Sequence, residues 1–187
     1  GLVGSEMCIR DRCQHAENRF VGVSCGIMDQ YTSVFGRRGH ALFLDCRSLQ
    51  CEHVPLALDK LKLLLVNSGV KRRLASAEYN KRREQCEEAV KLLKPKFPNI
   101  RALRDLSAED LPAALPVLPE VPRKRAEHVV RECRRVRDAV GALKRGGMSD
   151  LGSLLNESHA SLRELYEVSC PELDLLAGTA QRTPGVL

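Results

Sequence analysis

The stretch CGIMDQYTSVFGRRGHALFLDCRSL, residues 25–49, is the part of the sequence that best predicts the fold. A glycine precedes one carboxylate, Asp29, which stands at the head of an apolar run, and a strand-like run follows at 40–46. The spacing predicts a short helix that begins at Gly26. Taken alone, Asp29 is typical of an acidic residue near a helix N-terminus, where the helix dipole and unpaired backbone N–H groups stabilise a negative charge. A catalytic role for Asp29 therefore needs support from the rest of the chain.

The residues around this stretch predict a mixed α and β region. A helix end is expected at 13–20, before the stretch. After it, the alternation of apolar and polar residues at 49–56 is typical of a half-buried strand. The continuous apolar run LKLLLVNS at 61–68 predicts a third, central strand.

Beyond residue 68 the pattern is almost wholly helical. The sequence predicts a helix at 76–93 that ends before Pro95. SAED at 107–110 resembles a capping box, and the proline-rich segment at 111–122 should interrupt the short helix that it starts. Two long helices, at 122–145 and 147–166, should be separated by Gly146 and Gly147. A last helix should be capped by Ser169, with Pro171 in its first turn.

The composition excludes several classes of protein. The 187 residues are 43% hydrophobic, which suffices for a core, but only 4% aromatic with no tryptophan. No run of about 18 apolar residues predicts a membrane span, and no signal peptide is recognisable. The eight cysteines form no CxxC pair and suit free thiols in a reducing cytoplasm. No cluster of cysteines and histidines predicts a zinc site.

The formal net charge of +6 is concentrated in two basic stretches, at 71–83 and 123–137. In the second, apolar residues recur at helical spacing, so the arginines occupy the other face of a helix. No aromatic residues alternate with these charges as nucleic-acid motifs require. We therefore interpret both stretches as solvated helix faces and expect no nucleic-acid partner.

Four residues form a small set of candidates when only their chemistry is considered. They are Glu17, Asp29, Lys71 and Tyr79. A carboxylate for a metal ion, a carboxylate for a hydroxyl group and a lysine would suit phosphoryl transfer. Their spacing alone does not establish that reaction, since the sequence has no Walker loop and no GxGxxG motif.

Three collinear blocks carry a resemblance to a known family. They are the stretch at 25–49, NSGVKRRLASAEYNKRREQCEEA at 67–89, and ESHASLRELYEVSCPELDLL at 157–176. All three resemble galactokinases, members of the GHMP family of sugar and metabolite kinases, and the similarity extends from about Cys13 to Leu187. The resemblance implies phosphorylation of the anomeric hydroxyl of galactose by ATP with Mg²⁺. It also implies an α+β fold of two lobes with the active site in the cleft between them.

The resemblance assigns three residues to catalysis and the sugar. Asp29, in CGIMDQ, matches the catalytic aspartate that hydrogen-bonds the reacting hydroxyl. Gly26 matches a backbone contact to the sugar, and Tyr79, in SAEYNKRR, matches a tyrosine that hydrogen-bonds it.

Further residues follow from the same resemblance. Glu17, in AENRFVG, matches an acidic ligand of Mg²⁺. Lys71, in NSGVK, matches a basic position beside the catalytic aspartate. The family usually has His and a small or acidic residue where this chain has Arg72 and Arg73. His159 lies in the third block without a known chemical role, and a packed or capping histidine is the simpler interpretation.

The domain organisation follows from the same blocks. Residues 1–12, GLVGSEMCIRDR, resemble a translated sequencing adapter and are expected to be non-native. Residues 13–58 should form the C-terminal part of the N-terminal lobe, and residues 59–187 an incomplete, mainly helical C-terminal lobe. The nucleotide phosphate loop of the family has no counterpart in the chain, so residues 13–187 alone should not turn over. The full-length form is expected to be a monomer.

Two alternatives stay open at this point. A kinase for N-acetylgalactosamine shares the architecture, although a more glycine-rich stretch than SCGI is expected there before MDQ. A regulator of the galactokinase family that binds galactose and ATP without turnover could also retain Asp29.

Overall fold

The computed structural model describes residues 3–22, 24–58, 61–70 and 75–187. The chain divides into two compact units. The first contains Gly1–Leu65 and Arg72–Asn80, and the second contains Val66–Lys71 and Lys81–Leu187. The division into lobes after residue 58 stays a prediction.

The first unit begins with a helix that carries into the candidate site. Helix α1 spans Val3–Ala16 and continues as a π-helical turn at Glu17–Val21, which confirms the helix end expected at 13–20. The turn ends at Gly22, whose φ of 75° is in the left-handed region that glycine adopts without strain. Helix α2, Met28–Phe35, packs against α1 and begins two residues later than the sequence predicted.

A two-stranded hairpin follows α2 in the first unit. Strand β1, His40–Leu44, pairs antiparallel with β2, Cys51–Pro55, in a register that places Leu42 opposite His53. Both predicted strands are confirmed. The connecting turn is held by Asp45, whose Oδ1 accepts the backbone N–H groups of Arg47 and Ser48 at 2.7 and 3.2 Å.

The third strand, predicted at 61–68, is wrong. These residues form no regular secondary structure, and the sheet formed by the described residues contains β1 and β2 alone. Leu63, Leu64 and Leu65 are 79%, 80% and 87% exposed. An apolar run becomes a central strand only where neighbouring strands pair with its backbone and cover its side chains, and the described residues provide neither.

Helices make up the second unit and the segment that leads into it. Helix α3 begins and ends close to its predicted bounds of 76–93, and the proline-rich segment breaks into short turns as expected. The helices are α3 at Ala75–Leu93, α4 at Leu111–Ala114, α5 at Glu120–Lys144, α6 at Met148–Ser161 and α7 at Pro171–Arg182. Shorter 3₁₀ turns lie at Leu103–Asp105, Ala108–Asp110 and Leu115–Val117, and a second π-helical turn lies at Leu162–Tyr166.

The predicted helix boundaries in this unit are mostly confirmed. Gly146 and Gly147 separate α5 from α6, and Gly146 has a φ of 73°. The Ser107 backbone N–H donates to Asp110 Oδ2 at 2.8 Å, which is the bond from the third helical residue that a capping box predicts, and the Ser107 hydroxyl donates to the same oxygen at 2.8 Å. Ser169 as the cap of α7 is wrong by one residue. Cys170 occupies that position, and the Ser169 hydroxyl instead donates to Asp174 Oδ1 at 2.7 Å.

The core of the second unit is aliphatic, as expected from the low aromatic content. It joins α3 to the turns after it and to the first half of α5. Its buried members are Ala89, Leu93, Ile100, Leu103, Leu106, Leu111, Ala114, Leu118, Ala126 and Val130. Burial of these side chains is the main stabilising contribution to this helical unit.

The basic stretch at 123–137 lies on α5, where neighbouring carboxylates pair with much of its charge. Arg131 lies 2.9 Å from Glu127, and Arg135 pairs with Glu132. These contacts follow the helical spacing of three or four residues. The expected absence of a nucleic-acid partner stays a prediction.

Within the part of the chain that the structure describes, no helix combines the length and apolar character needed to cross a membrane. All eight cysteines, each of which is among the described residues, are free thiols.

Candidate active site

Asp29 occupies the second position of α2 and is exposed to solvent. Its backbone carbonyl accepts a 2.8 Å hydrogen bond from the Ser33 hydroxyl one turn later. The residue before the helix, Ile27, supplies no side-chain cap. The carboxylate is therefore close to the helix N-terminus, which stabilises its charge, and it remains accessible to a ligand.

Two hydrogen bonds hold α2 to the hairpin. The buried Tyr31 donates its hydroxyl to the Leu49 carbonyl at 3.0 Å, and His53 Nε2–H donates to the Phe35 carbonyl at 2.8 Å. The rings of Tyr31 and Phe35 contact each other at a centroid distance of 4.5 Å. The helix that carries Asp29 is thus attached to the hairpin at its middle and at its C-terminal end.

Tyr31 also faces a cation and a thiol. The Arg10 guanidinium lies 5.3 Å from the centroid of the Tyr31 ring, and Arg10 is itself buried. A hydrogen bond with Cys51, together with burial, raises the pKa of the Tyr31 phenol above its ordinary value. The phenol therefore stays protonated and remains a donor to Leu49. Arg10 lies within residues 1–12, whose non-native origin stays a prediction.

Glu17 is the first residue of the π-helical turn, and its side chain is exposed. Its backbone carbonyl accepts the N–H of Gly22, which closes the turn. Gly26 is exposed in the segment before α2, and a Cβ added there would meet no atom within 4 Å. A ligand can therefore approach the backbone at Gly26 without obstruction.

Tyr79 lies in the second turn of α3 and is 46% exposed. The next residue, Asn80, makes two long-range bonds that were not foreseen. Its Oδ1 accepts the Ser24 N–H at 3.1 Å, and its Nδ2–H donates to the Gly22 carbonyl at 3.3 Å. The only signal in the sequence is an asparagine beside the predicted tyrosine, and such a position does not identify a partner.

The structure places four of the predicted residues in one compact unit. These are Glu17, Gly26, Asp29 and Tyr79, all in the first unit. Lys71, predicted as the basic residue beside Asp29, lies outside the described residues, as do Arg72 and Arg73. The roles of all these residues stay predictions.

A Mg²⁺ ion at this site would depend on few protein ligands. Among the described residues no group of three or more His, Cys, Asp or Glu side chains could hold a metal ion. Mg²⁺ in phosphoryl-transfer sites is commonly held by one or two carboxylates together with substrate phosphates. The exposed carboxylate of Glu17 fits that requirement and needs no preformed cluster.

His159 belongs to the second unit, on α6. Its Nε2 lies 3.1 Å from Asp174 Oδ1, and both side chains are partly buried. This position between two helices agrees with the packing role that we favoured from the sequence.

The two compact units, built from one hairpin and a larger set of helices, define an α+β protein with a carboxylate-bearing, exposed candidate site. The chain is 47% identical over 184 residues to the galactokinase of Roseiflexus sp. (strain RS-1), and covers 46% of it with 98% of its own length. It is 49% identical over 174 residues to the galactokinase of Homo sapiens, and this match covers 93% of this chain and 43% of the human protein. No family model matches the chain.

A solved galactokinase structure also resembles this chain in fold. The crystal structure of Lactococcus lactis galactokinase complexed with galactose superposes with a TM-score of 0.81 at 37% identity, over 92% of this chain and 44% of that one. The chain thus has the α+β fold of a GHMP-type sugar kinase over the length that it spans. Over nearly its whole length the chain is similar to these galactokinases, and it spans a little under half the length of the curated relatives that it matches.

Proposed function

We propose that the protein carrying this chain is a galactokinase, which transfers the terminal phosphoryl group of ATP to the anomeric hydroxyl of galactose. The observation that carries this proposal is the 47–49% identity to curated galactokinases over 93–98% of the chain. The Lactococcus lactis relative was solved as a complex with galactose, which supports galactose as the acceptor.

Asp29 is the residue that we assign to the reacting hydroxyl. Its carboxylate is exposed on a helix attached to the hairpin through Tyr31 and Phe35, so it is accessible and held in place. Phosphoryl transfer passes through a loose transition state, in which positioning and charge neutralisation provide most of the rate. Asp29 would orient the hydroxyl toward the phosphoryl group and accept its proton late. Full removal of the proton before attack is the competing mechanism.

The remaining predicted residues have roles that complement Asp29. Gly26 offers an unobstructed backbone to the sugar, and the half-exposed Tyr79 offers a hydroxyl as donor or acceptor. Glu17 would hold Mg²⁺ together with substrate phosphates, and Lys71 would contribute positive charge near the reacting groups. Bound Mg²⁺ supplies neutralisation of the charge on the phosphoryl oxygens.

The location and oligomeric state are also part of the proposal. Eight free thiols suit a reducing cytoplasm, where disulfides are rare. We propose a cytoplasmic protein whose full-length form is monomeric.

A hybrid protein tests the function directly. Residues 13–187 replace the matching segment of the Roseiflexus sp. galactokinase, and ADP release is measured with galactose, with N-acetylgalactosamine and without sugar. We expect ADP release that depends on galactose. A hybrid that melts cooperatively and is stabilised by galactose, but releases no ADP, would support the regulator instead. A preference for N-acetylgalactosamine would support the second alternative.

A further inference from the structure

The side chain of Asn80 makes two hydrogen bonds to the backbone of Gly22 and Ser24, which are two positions apart in the sequence. Its Oδ1 accepts the Ser24 N–H at 3.1 Å, and its Nδ2–H donates to the Gly22 carbonyl at 3.3 Å. Both partners are backbone groups, and both bonds lie within the first unit. A primary amide is suited to this task because it offers an acceptor and a donor side by side.

The two backbone partners belong to the segments that carry the candidate site. Gly22 closes the π-helical turn that starts at Glu17, since its N–H donates to the Glu17 carbonyl. Ser24 begins the short segment that leads through Gly26 to α2 and Asp29. Asn80 therefore bonds to the end of the turn that carries Glu17 and to the start of the segment that carries Gly26 and Asp29.

Two further amide side chains hold the same segment from the side of α1. Gln14 Nε2–H donates to the Cys25 carbonyl at 3.4 Å, and the Cys25 thiol lies 3.5 Å from Asn18 Oδ1. Cys25 directly precedes Gly26. The segment before Asp29 is thus held by side-chain amides from the α1 end and from α3.

Asn80 also follows Tyr79 on α3. Successive residues of an α-helix project about 100° apart, so fixing the side chain of Asn80 fixes the rotation of the helix and the direction in which Tyr79 projects. Loss of the Asn80 bonds would release both the segment before Asp29 and the first turns of α3. Small displacements of this kind are costly, because reacting groups must be held close to the productive geometry.

We propose that Asn80 is a positioning residue that fixes Tyr79 against the segment carrying Gly26 and Asp29. This inference rests on the proposed function, since it concerns the binding of galactose in the same site. Asn80 acts through the groups that it holds, and it needs no contact with the substrate.

The test compares Asn80→Ala and Asn80→Asp in the hybrid enzyme. Asn80→Ala removes both bonds, whereas Asn80→Asp keeps the acceptor for Ser24 but has no donor for the Gly22 carbonyl. Asn156→Ala is the matched control. It is an exposed helix residue of the second unit, whose Oδ1 accepts a 3.0 Å bond from Gln181.

The first readout is hydrogen exchange, measured by mass spectrometry on the peptide that contains Ser24. Asn80→Ala should accelerate exchange of this amide about 10-fold or more, while Asn80→Asp and Asn156→Ala should stay near the parent. The same measurement on the 187-residue chain tests the pair of bonds without any activity. Unchanged exchange in Asn80→Ala would overturn the proposal.

The second readout separates positioning from general stability. Asn80→Ala should raise the galactose KM about 10-fold, with the ATP KM and the melting temperature little changed. In the double variant with Tyr79→Phe, the loss of kcat/KM should be smaller than the sum of the two single losses. Both changes weaken the same contact, that between the Tyr79 hydroxyl and galactose. Full additivity, or equal losses for galactose and ATP, would contradict the proposal. An inactive parent hybrid would instead contradict the proposed function, while the exchange result would still decide whether Asn80 holds the segment.

Discussion

Arg125 donates a hydrogen bond of 2.6 Å from its Nη2 to Oε2 of Glu167, although the Arg125 side chain is 2% exposed and that of Glu167 is 42% exposed. The same guanidinium donates to Gln85 Oε1 at 2.8 Å and to the Leu165 carbonyl at 2.5 Å. A buried cation is thus compensated by an anion at the surface. The hydrogen bond from Arg125, followed by that from Lys124, lowers the pKa of Glu167.

Removal of the anion should destabilise the second unit. Glu167→Ala leaves the buried Arg125 charge without a carboxylate, and we expect a loss of about 2–3 kcal/mol. This lies below the usual range for broken buried pairs because Glu167 is partly solvated. Urea unfolding followed by circular dichroism measures the loss. Glu87→Ala, in an exposed pair with Arg83 at 3.1 Å, is the control and should cost less than about 1 kcal/mol. Equal losses for the two variants would show that burial of Arg125 is unimportant.

The stability of the second unit should depend on the protonation of His128. This buried ring stacks on Tyr166 at a centroid distance of 4.5 Å, and its Nδ1 lies 2.8 Å from the Ser161 hydroxyl. Burial lowers the pKa of His128 below its ordinary value. The unfolded chain therefore binds a proton at a pH where the folded chain does not. Stability should be fully present above about pH 6.5 and should fall as the pH decreases from there toward the lowered pKa of the folded state.

The variant His128→Gln removes this titration. Its free energy of unfolding should change less than that of the parent between pH 7.5 and pH 5, even though the variant is less stable at pH 7.5. His15→Gln, at an exposed position of α1, is the matched control and should retain the parent's pH difference. An identical pH difference in His128→Gln would assign the acid sensitivity to other groups.

Asp29→Asn separates a catalytic carboxylate from a helix-terminal acid. In the hybrid enzyme, kcat should fall by about 10²–10⁴-fold, since the change removes the charge and the proton acceptor. The melting temperature should change little, because asparagine is as favourable as aspartate at a helix N-terminus. Asp150→Asn, in the exposed first turn of α6, is the matched control and should leave kcat unchanged. Near-normal kcat for Asp29→Asn would leave only the structural role.

Tyr79→Phe removes one hydroxyl from the half-exposed ring. We expect galactose binding to weaken by about 0.5–1.5 kcal/mol, the usual contribution of a neutral hydrogen bond. The measurement is the pair of Michaelis constants in the hybrid, where the galactose KM should rise and the ATP KM should stay constant. A change confined to ATP would place Tyr79 away from the sugar.

Local sequence signals predicted the elements that are stabilised locally. The alternation of the hairpin, the Ser107–Asp110 cap and the Gly146–Gly147 break each depend on residues close in the sequence, and each is confirmed. The predicted strand at 61–68 failed because a strand is stabilised by partners, which a local pattern cannot supply. The cap of α7 moved to Cys170 because the Ser169 hydroxyl is engaged by Asp174, a competition that propensity does not reveal.

Local sequence patterns also failed to predict the long-range contacts of the candidate site. The resemblance named Glu17, Gly26, Asp29 and Tyr79 individually, but the bonds from Asn80 to Ser24 and Gly22 span 56 and 58 positions. Contacts at such separations depend on the whole fold, so no pattern within either segment predicts them.

The exposed apolar run at 63–66 also affects how the protein behaves at high concentration. Leu63, Leu64, Leu65 and Val66 are 79%, 80%, 87% and 59% exposed, with Lys62 as the adjacent charge. Consecutive exposed apolar residues outside regular structure can pair with the same segment of another molecule. Self-association through this run should therefore limit the solubility of the chain, and a charge placed inside the run, such as Leu64→Lys, should raise that limit.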